Sequence, residues 1–152
     1  MARKDIKEGI VNALISASIT SILGEITDDN YRIYDGWPQH HPLLVIEPPH
    51  TGGWLVIDDQ IEDGDADNIH EVHNIDFHIM VPIFTLAEDA IDIIDSIYQW
   101  NFPQQRDVIY ENFILYNSRR VSTKQGWHQD YKLHQKTATY TMDFVKNPTN
   151  AG

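Results

Sequence analysis

The stretch from Ile69 to Trp100, "IHEVHNIDFHIMVPIFTLAEDAIDIIDSIYQW", changes its hydrophobic period midway, and that change decides the fold class. In its first half Ile75, Phe77, Ile79 and Val81 alternate with Asn74, Asp76, His78 and Met80, the two-residue period of a strand with one buried face. After Pro82 the period lengthens. Ile91, Ile94, Ile97 and Tyr98 then oppose a polar row of Asp89, Asp92, Asp95 and Gln99, as on an amphipathic helix. Thr85 and Glu88 have the spacing of a capping box, Glu88 and Asp89 suit the positive end of the helix dipole, and Pro103 follows the expected end near Trp100.

Working outward, the helical period also opens the chain. Ile6, Ile10, Ala13, Leu14 and Ala17 recur on one face until Gly24, with Asp5 and Glu8 placed as a cap, so a first helix is expected over about residues 6–23. A second apolar row, Val11, Ile15, Ile19 and Ile22, widens its greasy face beyond one core contact, and Val11, Ile15 and Ile19 are candidates for a subunit interface. Burial within the domain competes with that reading. In "RIYDGWPQHHP" the Gly36 and Pro38 of Tyr34–Pro38 favour a backbone reversal that joins this helix to the sheet.

Leu43–Glu47, Trp54–Ile57 and Val108–Tyr116 read as strands, and near the end Ala138, Tyr140, Met142 and Phe144 alternate with Thr137, Thr139, Thr141 and Asp143. The acidic segment 58–68 and the polar segment 117–131 read as long hairpin tips or mobile loops, and residues from about 147 as a frayed tail. The expected architecture is one α+β domain over residues 1–152: a mainly antiparallel sheet with two α-helices packed on it, in the order helix, three to four strands, helix, two strands.

Composition narrows the function. A net charge of −12 argues against a nucleic-acid-gripping surface, which needs Lys and Arg to displace counterions from phosphates. The absence of cysteine excludes disulfides, thiolate metal sites and thiol nucleophiles. Asp5 and Glu8 interrupt the opening as a signal peptide, and no stretch approaches the ~20 apolar residues that span a bilayer, so no membrane role is expected.

Several constellations invite chemistry. Asp63, Asp65 and Asp67 alternate like the first ligands of a calcium loop, yet Asn74 stands where the closing glutamate belongs. His70 and His78 are eight residues apart on one strand, roughly 27 Å at about 3.4 Å per residue, and cannot share an ion. Asp76 with His78, and Glu71 with His73, are same-face neighbours that offer two ligands each, against the simpler reading of cross-strand polar pairs on a solvated face. His40 and His41 form no catalytic pattern, and no nucleophile elbow, phosphate loop or dinucleotide fingerprint occurs. Trp37 and Trp127, both in turn-rich surroundings, are interface candidates, with core-edge packing as the competing role.

Taken in order, these elements resemble the tail terminator, or tail completion, proteins of long-tailed bacteriophages. The likeness runs through Ile33, Tyr34, Asp35, Gly36, Trp37, Pro38 and Gln39, the strand-like Pro42–Ile46, "VHNIDFHIMV" at 72–81, and the helix at 86–100. It continues through Ser118, Arg119, Arg120 and Val121, then Gly126, Trp127 and His128, and finally Lys136–Phe144. The chain departs from the pattern in Trp37, in the acidic segment 58–68 and in its overall charge.

The resemblance implies a virion structural protein without enzymatic activity, cofactor or metal, assembled in the host cytoplasm. Such a protein forms a ring, a hexamer, on the head-proximal end of the tail tube, stops tube polymerisation and presents a head–tail joining surface. Its implied partners are its own copies, the tail tube protein and the head–tail connector, while DNA passes through without specific binding. Arg119, Arg120 and Trp127 at one tip, and Asp63, Asp65 and Asp67 at the other, are the residues placed to reach them. Two alternatives stand beside it: a small metal-dependent or acid–base enzyme using His73, Asp76 and His78, and a monomeric acidic adaptor.

Overall fold

Two long strands with matching alternation, β3 (His70–Val81) and β6 (Leu133–Lys146), lie antiparallel at the centre of the sheet and set its register, with Phe77 opposite Ala138 and Ile75 opposite Tyr140. The computed structural model describes residues 2–24, 32–36, 52–64, 70–100, 108–110, 112–129 and 132–147. The remaining elements are α1 (Ala2–Ser16), α2 (Thr20–Leu23), β1 (Ile33–Asp35), β2 (Trp54–Gly64), α3 (Phe84–Tyr98), β4 (Val108–Ile109) and β5 (Phe113–His128).

The six strands form one sheet in the order β1-β2-β3-β6-β5-β4. All neighbours are antiparallel except β1 and β2, which run parallel. This corrects the architecture expected from the sequence. Of the described residues 53% are strand, in a six-stranded curled sheet that is mixed because β1 and β2 run parallel, and three helices stand among them, in place of the expected two-helix layout of helix, strands, helix, strands. Local periodicity carries no information on strand direction, so a parallel first pair is invisible to it. The curl has local causes as well: register shifts at Ile61/Asp63, Leu115/Asn117 and Arg120/Ser122 each insert a residue that bends its strand.

The helical face of the sheet is apolar. Ile75, Phe77, Ile79 and Val81 of β3, Ala138, Tyr140, Met142 and Phe144 of β6, and Leu55 and Ile57 of β2 are buried there. Against them pack Ile6, Ile10 and Leu14 of α1, spaced one helical turn apart, and Ala87, Ala90, Ile91, Ile94 and Tyr98 of α3. Phe77 stacks on Tyr98 at 6.1 Å and meets the edge of Tyr140 at 5.4 Å, each pair adding about 0.5–1.5 kcal/mol beyond burial. The Tyr98 and Tyr110 hydroxyls share a hydrogen bond at 3.0 Å, and burial raises the pKa of both. On the opposite face Trp54, Val56, Met80 and Leu133 form a second, smaller cluster with Tyr34.

Several expected boundaries move. The single helix over 6–23 is two, because Ser18 takes a left-handed φ of 67° and interrupts the ladder. Gly24, at φ 104°, ends α2 as expected. Since α1 already begins at Ala2, Asp5 lies inside it rather than at its start. Ile83 occupies the N-cap of α3 without a side-chain bond, which leaves Thr85 within the first turn and Glu88 beyond it, so the capping box is not formed.

Val108–Tyr116 is divided at the tight turn where Tyr110 and Phe113 exchange backbone hydrogen bonds. Asp58–Gly64, expected as loop, continues β2, and 117–128, also expected as loop, is the second half of β5. The segment expected as a turn contributes Ile33–Asp35 to the sheet, with Gly36 at φ 77° after it, and its remainder lies outside the described residues. Asn147, expected in the frayed tail, is buried and its amide donates to Asn112 O at 2.8 Å. The expected strand Leu43–Glu47 lies outside the described residues, as do His40, His41 and Pro148 onward.

Candidate functional site

Strand alternation divides the chemistry-bearing residues of β3 between two faces, and the division dismantles one constellation expected from the sequence. His73 lies on the helical face, fully buried, whereas Asp76 and His78 lie on the other face and are partly exposed. The three cannot converge on one substrate or ion.

On the helical face His73 is clamped between two carboxylates. Its Nδ1–H donates to Asp59 Oδ1 at 2.7 Å and its Nε2–H to Glu71 Oε1 at 2.8 Å. The three side chains are at most 6% exposed, and the ring stands edge-on to Phe144 at 5.0 Å. An imidazolium, with a proton on each ring nitrogen, satisfies both carboxylates at once. Burial, the largest single influence, opposes that charge, but the hydrogen bonds and charges of Asp59 and then Glu71 together outweigh it and raise the pKa. The sequence paired His73 with Glu71 correctly but placed them on the solvated side. It missed Asp59, fourteen residues away, because only the β2–β3 register brings that carboxylate beside the ring.

On the outer face Asp58 lies opposite Asp76, and Val56 opposite His78. One donor atom from each of Asp58, Asp76 and His78 falls within 4.8 Å of the others, a spacing at which the three can share a divalent cation. Thr139 Oγ1 donates to Asp76 Oδ1 at 2.6 Å, His78 Nδ1 lies 2.8 Å from Thr137 Oγ1, and Thr141 donates to Asn74 at 2.9 Å. These are the cross-strand polar pairs expected of a threonine-rich face. Burial lowers the pKa of His78, against the opposing charges of Asp76 and Asp58, and favours the neutral imidazole. The curl of β5 closes a groove of about 450 Å³ over this site, lined among others by Asp76, His78, Lys124, Trp127 and Thr137. Asp58 escaped the sequence reading because it sits in the segment read as an acidic loop.

The interface candidates separate by burial. Val11 is half-buried against the core, Ile15 is exposed, and Ile19 is fully buried within the chain's own core and offers nothing to a partner. Trp127 is 49% exposed, its ring 4.7 Å from that of His134. Arg119 points outward, while Arg120 pairs with Asp95 of α3, which also accepts from the Tyr140 hydroxyl. Asp63 is a β2 residue opposite Val72 and Asn74 a β3 residue, so strand occupies both ends of the stretch that a calcium loop would need, in keeping with Asn74 standing where the closing glutamate belongs. Trp37, Asp65 and Asp67 lie outside the described residues.

With this geometry in view, one comparison bears on the fold. A chain of the virion of a native gene transfer agent particle shares it. The two superpose with a TM-score of 0.61 over 91% of this chain and 92% of that one, at 13% sequence identity. No protein-family model and no curated protein matches the chain. The likeness therefore extends over nearly the whole of both chains, mixed sheet and helices together, while the side chains at equivalent places are largely different.

Proposed function

We propose that this chain is a structural virion protein that forms a hexameric ring at the head-proximal end of a phage-like tail tube, ends tube polymerisation and presents the head–tail joining surface. The observation that carries the reading is the fold shared with a virion chain over nearly the full length of both. The ordered resemblance to tail terminators, from the Tyr34–Gly36 segment through α3 to β6, supports the finer assignment. Its partners are then its own copies, the tail tube protein and the head–tail connector, and it resides in the virion at the head-proximal end of the tail. A net charge of −12 suits a ring through which DNA slides without being gripped. In this role the chain is not an enzyme.

Light scattering over a concentration series tests the ring. A species near six times 17.6 kDa, about 106 kDa, is expected, and a monomer at every concentration counts against self-assembly in solution.

One observation favours a second reading, a metal-dependent enzyme: the approach of Asp58, Asp76 and His78 under the groove. The double substitution Asp76→Ala, His78→Ala separates the two. In a ring-forming protein the assembly mass is expected to stay at the wild-type value, since these side chains bond to Thr139 and Thr137 of their own sheet. Loss of a divalent-ion-dependent hydrolytic activity in the same variant, with assembly intact, would instead establish the enzyme.

A further inference from the structure

Charge is distributed unevenly along this acidic chain. Between Asn117 and Thr137 stand five cations, Arg119, Arg120, Lys124, Lys132 and Lys136, against the single acid Asp130, so the segment carries +4 in a chain of −12 and the remainder carries −16. That segment is the β5–β6 hairpin. Every β5 residue from Arg119 to Trp127 is exposed, including Val121 and Trp127, each nearly half accessible.

The outer edge of this part of β5 is open. β4 pairs only with Leu115 and Ile114, and the end of α3 reaches two further residues, through the Trp100 amide on Ser118 O and the Gln99 side chain on the Arg120 amide. From Val121 to His128 no strand among the described residues pairs with it. The extra residue at Val121 and the lysine at 124 are features that discourage strand addition, so a partner meets this flank through side chains.

The matching surface is on α3. Glu88, Asp89 and Asp92 are exposed on the side of the helix opposite Ala87, Ala90, Ile91 and Ile94, and no Lys or Arg occurs between Phe84 and Tyr98. The chemistry of such a contact is already made once within the chain, where Arg120 of β5 binds Asp95 of α3.

We propose that the basic flank of the β5–β6 hairpin docks on the exposed acidic row of α3 in a second copy of this chain. Two different surfaces meeting head to tail generate a ring when the rotation closes. The inference rests on the ring reading above and names the surfaces that build it. Trp127 and Val121 supply apolar area at the centre of the contact, and the charges supply register and encounter rate.

Charge reversal in two separate variants tests this. The first carries Arg119→Glu, Lys124→Glu and Lys132→Glu; the second carries Glu88→Lys, Asp89→Lys and Asp92→Lys. Circular dichroism and thermal melting confirm that each is folded, and a milder pair, Lys124→Glu and Asp92→Lys, serves if either triple variant is not. Each variant alone is expected to need about tenfold or more higher concentration to associate, and an equimolar mixture to regain the wild-type mass, because reversed flank then meets reversed row. Added salt weakens the wild-type assembly by screening the same charges. If wild type forms the ring and both folded variants do so equally well, the docking surfaces are wrong and the ring reading stands. A mixture of folded variants that fails to associate also overturns the pairing. A wild type that stays monomeric at every concentration and salt overturns the ring in solution, and the docking with it.

Discussion

Replacing His73 by alanine is expected to destabilise the fold by about 3–5 kcal/mol, measured by urea denaturation near pH 6. The substitution removes the cation from between Asp59 and Glu71 and leaves two buried carboxylates facing each other without a shared partner. The cost belongs to the broken arrangement, since one charge cannot be removed from a buried ionic cluster without stranding the others. A pH series gives the sign. His73 has a folded pKa raised above its ordinary 6.5, so its contribution is fully present below about 6.5 and is lost as pH rises through the folded value. The gap between wild type and His73→Ala is therefore expected to narrow from neutral towards alkaline pH. A gap that does not change with pH would mean that the ring is uncharged in the folded protein.

The second large effect is expected at Gly52. Its φ is 75°, and a methyl group there would sit 2.2 Å from the Leu23 carbonyl oxygen and 3.0 Å from Arg32 Nη1. That oxygen is the end of α2 and accepts the Gly53 amide at 2.8 Å, so the site is where the end of α2 meets the start of β2. Arg32 seals the same junction, its guanidinium 4.6 Å from the Trp54 ring centroid. Gly52→Ala is expected to cost roughly 2–4 kcal/mol by thermal or urea unfolding, part from the left-handed backbone and part from the displaced carbonyl. Gly36→Ala is the control. Gly36 has a similar φ of 77° with nothing among the described residues within 4 Å of the added methyl, so it should cost only the backbone share, about 1–2 kcal/mol. Equal costs at both positions would remove the close approach from the account.

These two sites also mark where reading the sequence stops. Alternation in β3 and β6 identified eight core residues and their faces, because a half-buried strand has to alternate and Phe77 and Tyr140 cannot face water in bulk. The helical period of α3 survived for the same reason, with Ala87, Ala90, Ile91, Ile94 and Tyr98 on one side. The reading of the polar hairpin failed where that signal is absent. Residues 117–128 carry no apolar alternation, yet they are strand because β6 supplies their backbone with hydrogen-bond partners. Asp58 and Asp59 fall in the acidic stretch that reads as loop, and this hides the two clusters they complete.

What the sequence determined by itself is the periodicity of its central elements, a net charge of −12 and the absence of any thiol chemistry. Each follows from residue identity and spacing alone, for burial on one face imposes its period whatever the neighbouring strand is. Only the tertiary structure decided the rest: the parallel β1–β2 pair, the break at Ser18, the burial of Ile19, and the joining of Asp59 to His73 and of Asp58 to Asp76. Those depend on register between segments distant along the chain, and register is set by the total packing of the sheet against its helices, a quantity that no local stretch of residues contains.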